Sequence, residues 1–409
     1  MYIKDSIEFF LEESFNRYLD DLRHMVGLNS FTSNAFGVNQ LSSYIMASYA
    51  HLGFSATLLP SRNPQFGNHL YLHRCAETST STKPAPAIAM ISHLDTVFSP
   101  EEEAKNNFHF RIEGKRAYGP GAVDIKGGSV MMLMILDTLH RFAPRVFENT
   151  EWFLAYNASE EVLSNDFGEF LLARLPASTC ACLVFEGGTP IDNQQPGLVQ
   201  SSNKTAFSLV TERKGRAVIH VKVEGKSAHA GNYHANGANA IVQLAHTIQD
   251  LAALTDYQKQ VTVNVGTIKG GSVTNRVPHE AEASLELRAF SPEIFQETID
   301  KILALEKVVH IRSRDGYACK VSLQIKERTE PWPENTATNH LFSIWKQKAD
   351  EIGIELISEA RGGLSDGNFL WDKFPTLDGL GPVGANAHCS EQTEDGATSN
   401  IWRYSWQIP

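Results

Sequence analysis

Ser92-His93-Leu94-Asp95-Thr96-Val97 follows directly on a short apolar run at residues 87–91. A short and nearly continuous apolar run is typical of a parallel strand that is buried on both faces. The runs at residues 152–156 and 181–185 have the same character. We therefore predict an α/β fold with a mixed, mostly parallel sheet that is flanked by helices.

Each of these predicted strands is followed by side chains that commonly bind metal ions. His93 follows the first run, Glu160 and Glu161 follow the second after a short polar turn, and Glu186 follows the third. In open α/β sheets, functional groups collect in the crevice outside the carboxyl ends of the strands. We therefore expect these side chains to converge, although they are far apart in sequence.

Two further candidate ligands come from loops. Asp124 lies in a glycine-rich turn before an apolar stretch, where glycine lets the backbone approach an ion closely, and His388 lies in a late loop. One divalent ion would leave the three acids Asp124, Glu161 and Glu186 net negative, whereas two ions and a bridging hydroxide are neutral. The pattern predicts a two-metal hydrolytic site with open coordination positions and a free general base.

Several short motifs together resemble one family. They are His-x-Asp at 93–95, Gly-Pro-Gly-Ala-Val-Asp-x-Lys-Gly-Gly at 119–128, Glu-Glu at 160–161, Glu-Gly-Gly at 186–188 and a late His388. They resemble the two-zinc metallopeptidase family of glutamate carboxypeptidase, aminoacylase and succinyl-diaminopimelate desuccinylase. The similarity spans most of the chain and implies a zinc-exopeptidase-like fold.

The resemblance also implies a role for each residue of the site. Asp124 would bridge two ions and be followed by a non-proline cis peptide bond. One ion would be bound by His93 and Glu186, and the other by Glu161 and His388. The remaining roles are a general base, Glu160, and a residue that orients a ligand, Asp95. Zinc is the expected metal, and cobalt or manganese would also suit this mixed set of nitrogen and oxygen ligands.

The pattern changes in the middle of the chain, which predicts an inserted domain at 214–326 between catalytic parts at 1–213 and 327–409. The predicted elements are strand 217–223, helix 237–252, strands 261–268 and 281–289, helix 292–306 and strand 318–326. This βαββαβ order is typical of a ferredoxin-like arrangement. The resemblance implies that the insert is a lid or dimerisation domain, and hence a homodimer.

Further residues are implied by the resemblance alone. His229, within Gly225-Lys226-Ser227-Ala228-His229-Ala230-Gly231, would donate a hydrogen bond to the developing oxyanion. Asn275 and Arg288 would bind a substrate carboxylate, for which a guanidinium offers a two-pronged match. The loop containing Gly363 and Ser365 would bind the substrate through its backbone N–H groups.

The composition limits the classes of partner. A net charge of −11 without a basic stretch argues against nucleic acid or an anionic membrane as partner. Five cysteines, an odd number without zinc-ribbon spacing, favour reduced thiols and a cytoplasmic protein. The N-terminus lacks the apolar core of a signal peptide, and no apolar run has the length needed to span a bilayer.

The C-terminal end departs from the family pattern. The resemblance implies a long amphipathic helix after the last histidine loop, whereas residues 397–409 end quickly and include two tryptophans. We expect the lack of that helix to uncover apolar surface.

These observations favour a zinc-dependent hydrolase that cleaves an amide bond of a short peptide or N-acyl amino acid, first of all a glutamate carboxypeptidase-like exopeptidase. A dipeptidase and an N-acyl amino acid deacylase remain alternatives, because all three attack a carbonyl group at the same type of centre. A non-catalytic metal-binding scaffold is the alternative from another class.

Overall fold

The computed structural model describes residues 3–77, 84–114, 116–162, 164–188, 206–384, 386–391 and 402–403. The chain divides into two compact units. The first comprises Met1–Thr211, Asn335–Glu359 and Ser365–Pro409, and the second comprises Glu212–Glu334 and Ala360–Leu364. Among the described residues no helix has both the length and the apolar character that a membrane crossing requires. Apart from residues 402–403, the predicted C-terminal departure at 397–409 lies outside the described residues.

Nine α-helices occur among the described residues. They are α1 (Ile3–Gly27), α2 (Ala35–Ser48), α3 (Pro100–Lys105), α4 (Lys126–Phe142), α5 (Pro144–Asn149), α6 (Asn165–Leu172), α7 (Ala240–Ala252), α8 (Pro292–Ala304) and α9 (Thr336–Glu351).

The described strands form four sheets. They are β1 (Ser55–Pro60), β2 (Asn68–Arg74), β3 (Ala87–His93), β4 (Arg111–Glu113), β5 (Arg116–Tyr118), β6 (Glu151–Asn157), β7 (Thr179–Val184), β8 (Ala206–Arg213), β9 (Gly215–Glu224), β10 (Thr262–Gly270), β11 (Glu280–Ala289), β12 (Lys320–Thr329), β13 (Glu355–Arg361), β14 (Thr376–Leu377) and β15 (Trp402–Arg403).

The first unit is built on a six-stranded sheet with the order β1-β2-β6-β3-β7-β14. Strands β6, β3, β7 and β14 are parallel, and β2 and β1 continue the sheet in antiparallel fashion. The three apolar runs of the sequence therefore become the adjacent strands β6, β3 and β7. This arrangement confirms the predicted mixed, mostly parallel sheet and puts the carboxyl ends of the three strands side by side.

Both faces of this sheet are buried, which explains why its strands are apolar without alternation. On β6, the side chains of Trp152 and Leu154 pack in one core with helices α1, α2 and α4. The intervening side chains of Phe153 and Ala155 pack in a second core with Phe167 of α6. Because each strand is covered on both sides, polar side chains are displaced to the strand ends.

The second unit contains a four-stranded antiparallel sheet with the order β10-β11-β9-β12. Numbered along the chain within this unit, the strand order is 2-3-1-4, and helices α7 and α8 connect the strands in the βαββαβ sequence that was predicted. The alternating residues Ala217, Ile219, Val221 and Val223 of β9 are buried against these helices. The predicted insert at 214–326 falls within this unit.

Helix α7 begins at Ala240, three residues later than the predicted start at 237. The cause is a local cap: Asn239 is extended, and its side chain accepts a hydrogen bond from the backbone N–H of Val242. Helix α8 begins in the same way, with Ser291 as the cap and Pro292 in the first turn. Capping residues therefore set these two helix starts.

A close approach of backbones fixes the start of α4 against the end of β7. A Cβ atom added at Gly128 would lie 2.1 Å from the carbonyl oxygen of Phe185, the residue before Glu186. No side chain fits at that separation without a shift of the backbone. Gly128 thus allows the loop that contains Asp124 to lie directly against the strand end that presents Glu186.

We predict that Gly128→Ala destabilises the first unit by about 2 kcal/mol, because overpacking of a rigid contact has this order of cost. Thermal and urea unfolding followed by circular dichroism measure the change. Gly27→Ala is the matched control, since nothing lies within 4 Å of a Cβ atom at Gly27. Equal stability of the two variants would contradict the proposed close contact.

Candidate metal centre

The carboxyl ends of the parallel strands bring the predicted acids and a histidine together. His93 is the last residue of β3, Glu160 and Glu161 begin a single 3-10 turn just after β6, and Glu186 follows β7. The Nε2 atom of His93 lies 3.7 Å from Oε1 of Glu186. Ligand atoms of His93, Glu160 and Glu186 all lie within 4.8 Å of one another.

Asp124 lies between two histidines and presents one carboxylate oxygen to each. Its Oδ1 atom is 2.9 Å from Nε2 of His93, and its Oδ2 atom is 3.3 Å from Nε2 of His388. The same nitrogen of His388 lies 3.3 Å from Oε2 of Glu161. The peptide bond between Asp124 and Ile125 is cis, as the resemblance implied. The side chains thus form two half-sites that share the Asp124 carboxylate.

Asp95 connects the strand end to the acid pair. Its carboxylate oxygens accept hydrogen bonds from the backbone N–H groups of Glu160, at 3.0 Å, and Glu161, at 3.2 Å. The Thr32 hydroxyl donates to the same carboxylate at 2.7 Å. With its side chain fully buried, Asp95 fixes the turn that presents both glutamates.

The backbone of Asp95 also positions the imidazole ring of His93. The Nδ1 atom of His93 lies 3.0 Å from the Asp95 carbonyl oxygen, which can only accept a hydrogen bond. A proton on Nδ1 would leave Nε2, which faces Asp124 and Glu186, as the atom that binds a metal ion, as in the histidine ligands of metal sites.

The electrostatics of the cluster call for positive charge. Hydrogen bonds to Asp124 and Glu161 raise the pKa of His388 to about 10. Burial lowers the pKa of His93, but its hydrogen bonds to Asp124 and Asp95 and the charge of Glu186 raise it well above its usual range. Burial raises the pKa of Asp124, yet hydrogen bonds from both histidines hold it well below its usual range. Protons on the two imidazoles compensate for two of the three negative charges of Asp124, Glu161 and Glu186.

These residues fit a pair of divalent cations. Each half-site offers one imidazole nitrogen, one carboxylate of its own and one oxygen of Asp124, which is a donor set that zinc, cobalt and manganese accept. The imidazole nitrogens that face the carboxylates are the atoms that would bind the ions. A cation in each half-site would replace the balancing protons and satisfy the same buried carboxylates.

Glu160 lies beside these ligands and is half-buried. Burial and the charges of Glu186, Asp366 and Glu161 raise its pKa well above the usual range, although the nearby His93 lowers it. A carboxyl group with a raised pKa binds a proton more readily than an ordinary glutamate does. This property distinguishes Glu160 from Asp124, whose pKa is lowered.

Two polar residues near the acid pair, Asp366 and Asn157, have no predicted role. Asp366 is 2 % exposed and accepts a hydrogen bond of 2.8 Å from Nδ2 of Asn157, the last residue of β6. Burial raises the pKa of Asp366 to about 7. The position of Asn157 directly after the apolar run at 152–156 could have indicated its importance, whereas nothing in the sequence around Asp366 indicates burial.

The substrate-loop residue Ser365 has internal partners. It is buried, its hydroxyl donates to Oδ2 of Asp378 at 2.6 Å, and it caps the short 3-10 turn that begins at Asp366. Gly363 is exposed, and its carbonyl oxygen accepts a hydrogen bond from Nη1 of Arg213 at 2.9 Å. Substrate binding by these two residues stays a prediction.

In the second unit, the histidine loop pairs with the loop that contains Asn275. The backbone N–H of Ala230 donates to the carbonyl of Asn275 at 2.9 Å, and His229 forms a bridge with Arg276. The Nδ1 atom of His229 accepts from the N–H groups of Gly231 and Asn232, so its ring proton is on Nε2. The exposed ring of His229 therefore presents an N–H donor.

Arg288 is the remaining predicted residue and also lies in the second unit. Its Nη1 atom donates to the carbonyl oxygen of Gly362 at 2.7 Å, and its Nε atom donates to Glu286 at 2.5 Å. The guanidinium thus lies beside the loop that contains Gly363.

Comparison with known proteins identifies relatives of both units. The family described as "Peptidase dimerisation domain" (M20_dimer) matches residues 211–309. Carboxypeptidase G2 of Pseudomonas sp. (strain RS-16) is 27 % identical over 275 residues, which are 67 % of this chain and 60 % of that protein. Acetylornithine deacetylase of Buchnera aphidicola is 24 % identical over 213 residues, 49 % of this chain and 50 % of the relative. The chain thus spans between half and two thirds of each of these relatives.

A solved structure shows the same fold. The M20 family metallo-carboxypeptidase Sso-CP2 from Sulfolobus solfataricus superimposes with a TM-score of 0.64 at 15 % identity, and the match covers 91 % of this chain and 93 % of that chain. Together with the matched dimerisation domain, this similarity confirms the expected α/β fold with an inserted lid-type domain. The sequence similarity to carboxypeptidase G2 and the matched dimerisation domain support the predicted resemblance to metallopeptidases, here of the M20 type.

We predict that Asp124→Asn lowers the zinc content of the protein by one or two ions per chain, because the shared carboxylate loses its charge. Elemental analysis after dialysis against zinc-containing and then zinc-free buffer measures the content. His109→Ala, which removes an exposed histidine, is the control and should retain the wild-type zinc content. Full zinc retention by Asp124→Asn would exclude the shared half-sites.

Proposed function

We propose that this relative of the M20 metallopeptidases is a two-metal hydrolase that cleaves an amide bond of a short peptide or an N-acyl amino acid. The observation that supports the proposal most directly is the half-buried carboxyl group of Glu160 beside ligand atoms of His93 and Glu186. A site that only stores a metal ion needs no proton carrier next to its ligands. The similarity to carboxypeptidase G2 favours a glutamate carboxypeptidase-like exopeptidase as the first candidate.

The metal ligands in this proposal are His93 and Glu186 for one ion, Glu161 and His388 for the other, and Asp124 for both. Divalent ions held there would supply Lewis acidity, which activates water and polarises a carbonyl group. We propose zinc as the ion, with cobalt and manganese as substitutes that the same ligands accept.

Glu160 carries the proton in this reaction. It accepts a proton from the attacking water as the new C–O bond forms, and it returns a proton to the amine nitrogen as the C–N bond breaks. The products are a carboxylic acid and an amine, and the carboxylate of Glu160 is regenerated. Asp95 supports the step by holding the backbone N–H of Glu160 through a 3.0 Å hydrogen bond.

His229 would stabilise the oxyanion of the tetrahedral intermediate. The tautomer fixed by the N–H groups of Gly231 and Asn232 places its proton on Nε2, which is the donor that this role requires. The proposal needs no change in the charge of the ring, because a neutral imidazole with this tautomer already donates.

The residues proposed to bind the substrate carboxylate are Asn275, Arg288, Gly363 and Ser365. The contact of Arg288 with the carbonyl of Gly362 supports the grouping of Arg288 with the loop that contains Gly363. A guanidinium can form two parallel hydrogen bonds with a carboxylate, which suits recognition of a C-terminal residue or a free amino acid end.

The alternatives differ in substrate and not in the centre. A dipeptidase or an N-acyl amino acid deacylase would use the same carbonyl attack, and the similarity to acetylornithine deacetylase keeps the latter in view. Turnover of zinc-loaded protein on a panel of N-acyl glutamates, other N-acyl amino acids and dipeptides separates them. Full metal loading without turnover on any of these substrates would favour the non-catalytic scaffold.

We also propose a homodimer that forms through the second unit, and a cytoplasmic location. The matched dimerisation domain at 211–309 supports the dimer, and β10 is an edge strand of its sheet with mostly exposed residues. All five cysteines are free thiols, which suits a reducing compartment. The molar mass from light scattering tests the dimer directly.

We expect Glu160→Gln to lower kcat by about 10²–10⁴-fold, the usual contribution of a general acid–base residue, while zinc content and folding stay unchanged. Steady-state kinetics on the best substrate of the panel and elemental analysis measure both properties. Glu293→Gln, at an exposed position at the start of α8, is the control. An undiminished rate in Glu160→Gln would remove Glu160 from the mechanism.

Replacement of His229 by alanine should lower kcat by about 10²–10³-fold, which is the typical effect of the loss of one oxyanion donor. KM and zinc content should change little, because the donor acts in the transition state and binds no ion. His234→Ala removes an exposed histidine of the same region and serves as the control. A rise in KM with unchanged kcat would instead indicate that His229 binds the substrate in the ground state.

A further inference from the structure

A second group of metal-binding side chains lies at the opposite end of the six-stranded sheet from the paired half-sites. Glu151 is the first residue of β6 and pairs with Ala87, at the start of β3, whereas His93 pairs with Asn157 at the other end. Six residues of extended strand separate the two ends by about 20 Å. This second group is therefore distinct from the candidate metal centre.

The group consists of His73, Cys75 and Glu151. The Nε2 atom of His73 lies 2.9 Å from Oε1 of Glu151 and 3.9 Å from Sγ of Cys75. All three ligand atoms lie within 4.8 Å of one another. Ligand atoms in a tetrahedral zinc shell are about 3.3–3.8 Å apart, so small rotations of the side chains bring them into range.

The surrounding structure fixes the positions of these side chains. The ring of His73 stacks on Phe153 with 4.6 Å between centroids and 3° between planes. His73 pairs with Phe153 between β2 and β6, so the sheet itself sets the distance between His73 and Glu151. After Cys75, the backbone N–H of Glu77 donates to the carbonyl of Glu148 at 2.7 Å. The group is thus preorganised on both sides.

We propose that His73, Cys75 and Glu151 bind one zinc ion at a site separate from the catalytic centre. Imidazole, thiolate and carboxylate are the three ligand types of protein zinc sites, and the sulfur favours zinc over magnesium or calcium. On binding, the Cys75 thiol forms a bond to the ion and releases its proton to the solvent. Water completes the shell, because three protein ligands leave a fourth position open.

The site is open to ions from the solvent. The side chains of His73 and Glu151 are 28 % and 26 % exposed, and Cys75 is exposed. A bound ion connects the segment after β2 to the start of β6, so binding stabilises the folded first unit in proportion to the occupancy of the site. The proposed role is a structural or regulatory response to zinc, independent of turnover.

Cobalt provides a probe that reports on this site alone. A thiolate ligand gives cobalt(II) an intense sulfur-to-metal charge-transfer absorption in the near ultraviolet, and none of the proposed ligands of the catalytic centre is a cysteine. Titration of the full-length, metal-free protein with cobalt should produce this absorption. Cys75→Ser should abolish it and lower the total metal content by one ion per chain, with turnover retained.

Three variants complete the experiment. Cys180→Ser, which removes another exposed thiol, and Cys389→Ser, next to a proposed catalytic ligand, should both retain the absorption. Glu151→Gln should keep the absorption but weaken cobalt binding at this site at least tenfold, because a charged ligand becomes a neutral amide.

The proposal fails if wild-type protein shows no thiolate absorption, which would leave His73 and Glu151 as a surface ion pair beside an unused thiol. It also fails if the absorption persists in Cys75→Ser. Both outcomes are independent of the proposed hydrolase activity, since the absorption requires no substrate. A loss of activity with the absorption intact would affect only the catalytic proposal.

Discussion

The hydrogen bonds of one buried carboxylate hold the candidate centre together. Asp95 accepts from the hydroxyl of Thr32 and from the backbone N–H groups of Glu160 and Glu161, while its carbonyl oxygen faces Nδ1 of His93. These contacts join the end of β3 to the turn after β6. They thereby hold Glu160 and Glu161 in a fixed position relative to the imidazole of His93.

The sheet supplies the scaffold on which this carboxylate acts. Strands β6, β3 and β7 are adjacent and parallel, so three polar strand ends lie next to each other. Apolar side chains pack on both faces of these strands, and a low local dielectric of this kind strengthens electrostatic interactions nearby. Bringing these carboxylates together costs free energy, because their negative charges repel one another. Positive charge on protonated imidazoles or on divalent metal ions offsets that repulsion.

The sequence predicted those features that a short local pattern determines. The apolar runs predicted β3, β6 and β7. The succession of strand-like and helix-like apolar patterns at 214–326 predicted the βαββαβ order. The short motifs, three of which follow apolar runs, predicted the candidate metal ligands. Features that depend on distant partners were not predicted: the burial of Asp366 against Asn157, and the second role of Asp95 as acceptor for the acid pair. Helix α7 begins later than predicted, because the side chain of Asn239 caps it.

The loops that contain His229 and Asn275 pair with each other in the second unit. The N–H of Ala230 bonds to the carbonyl of Asn275, and the N–H of Val277 bonds to the carbonyl of Ala228, so the two loops form one short ribbon. An insertion or a register change in either loop displaces the other. His229 and Asn275 therefore cannot be repositioned independently, and a change of backbone length in one segment requires a matching change in the other.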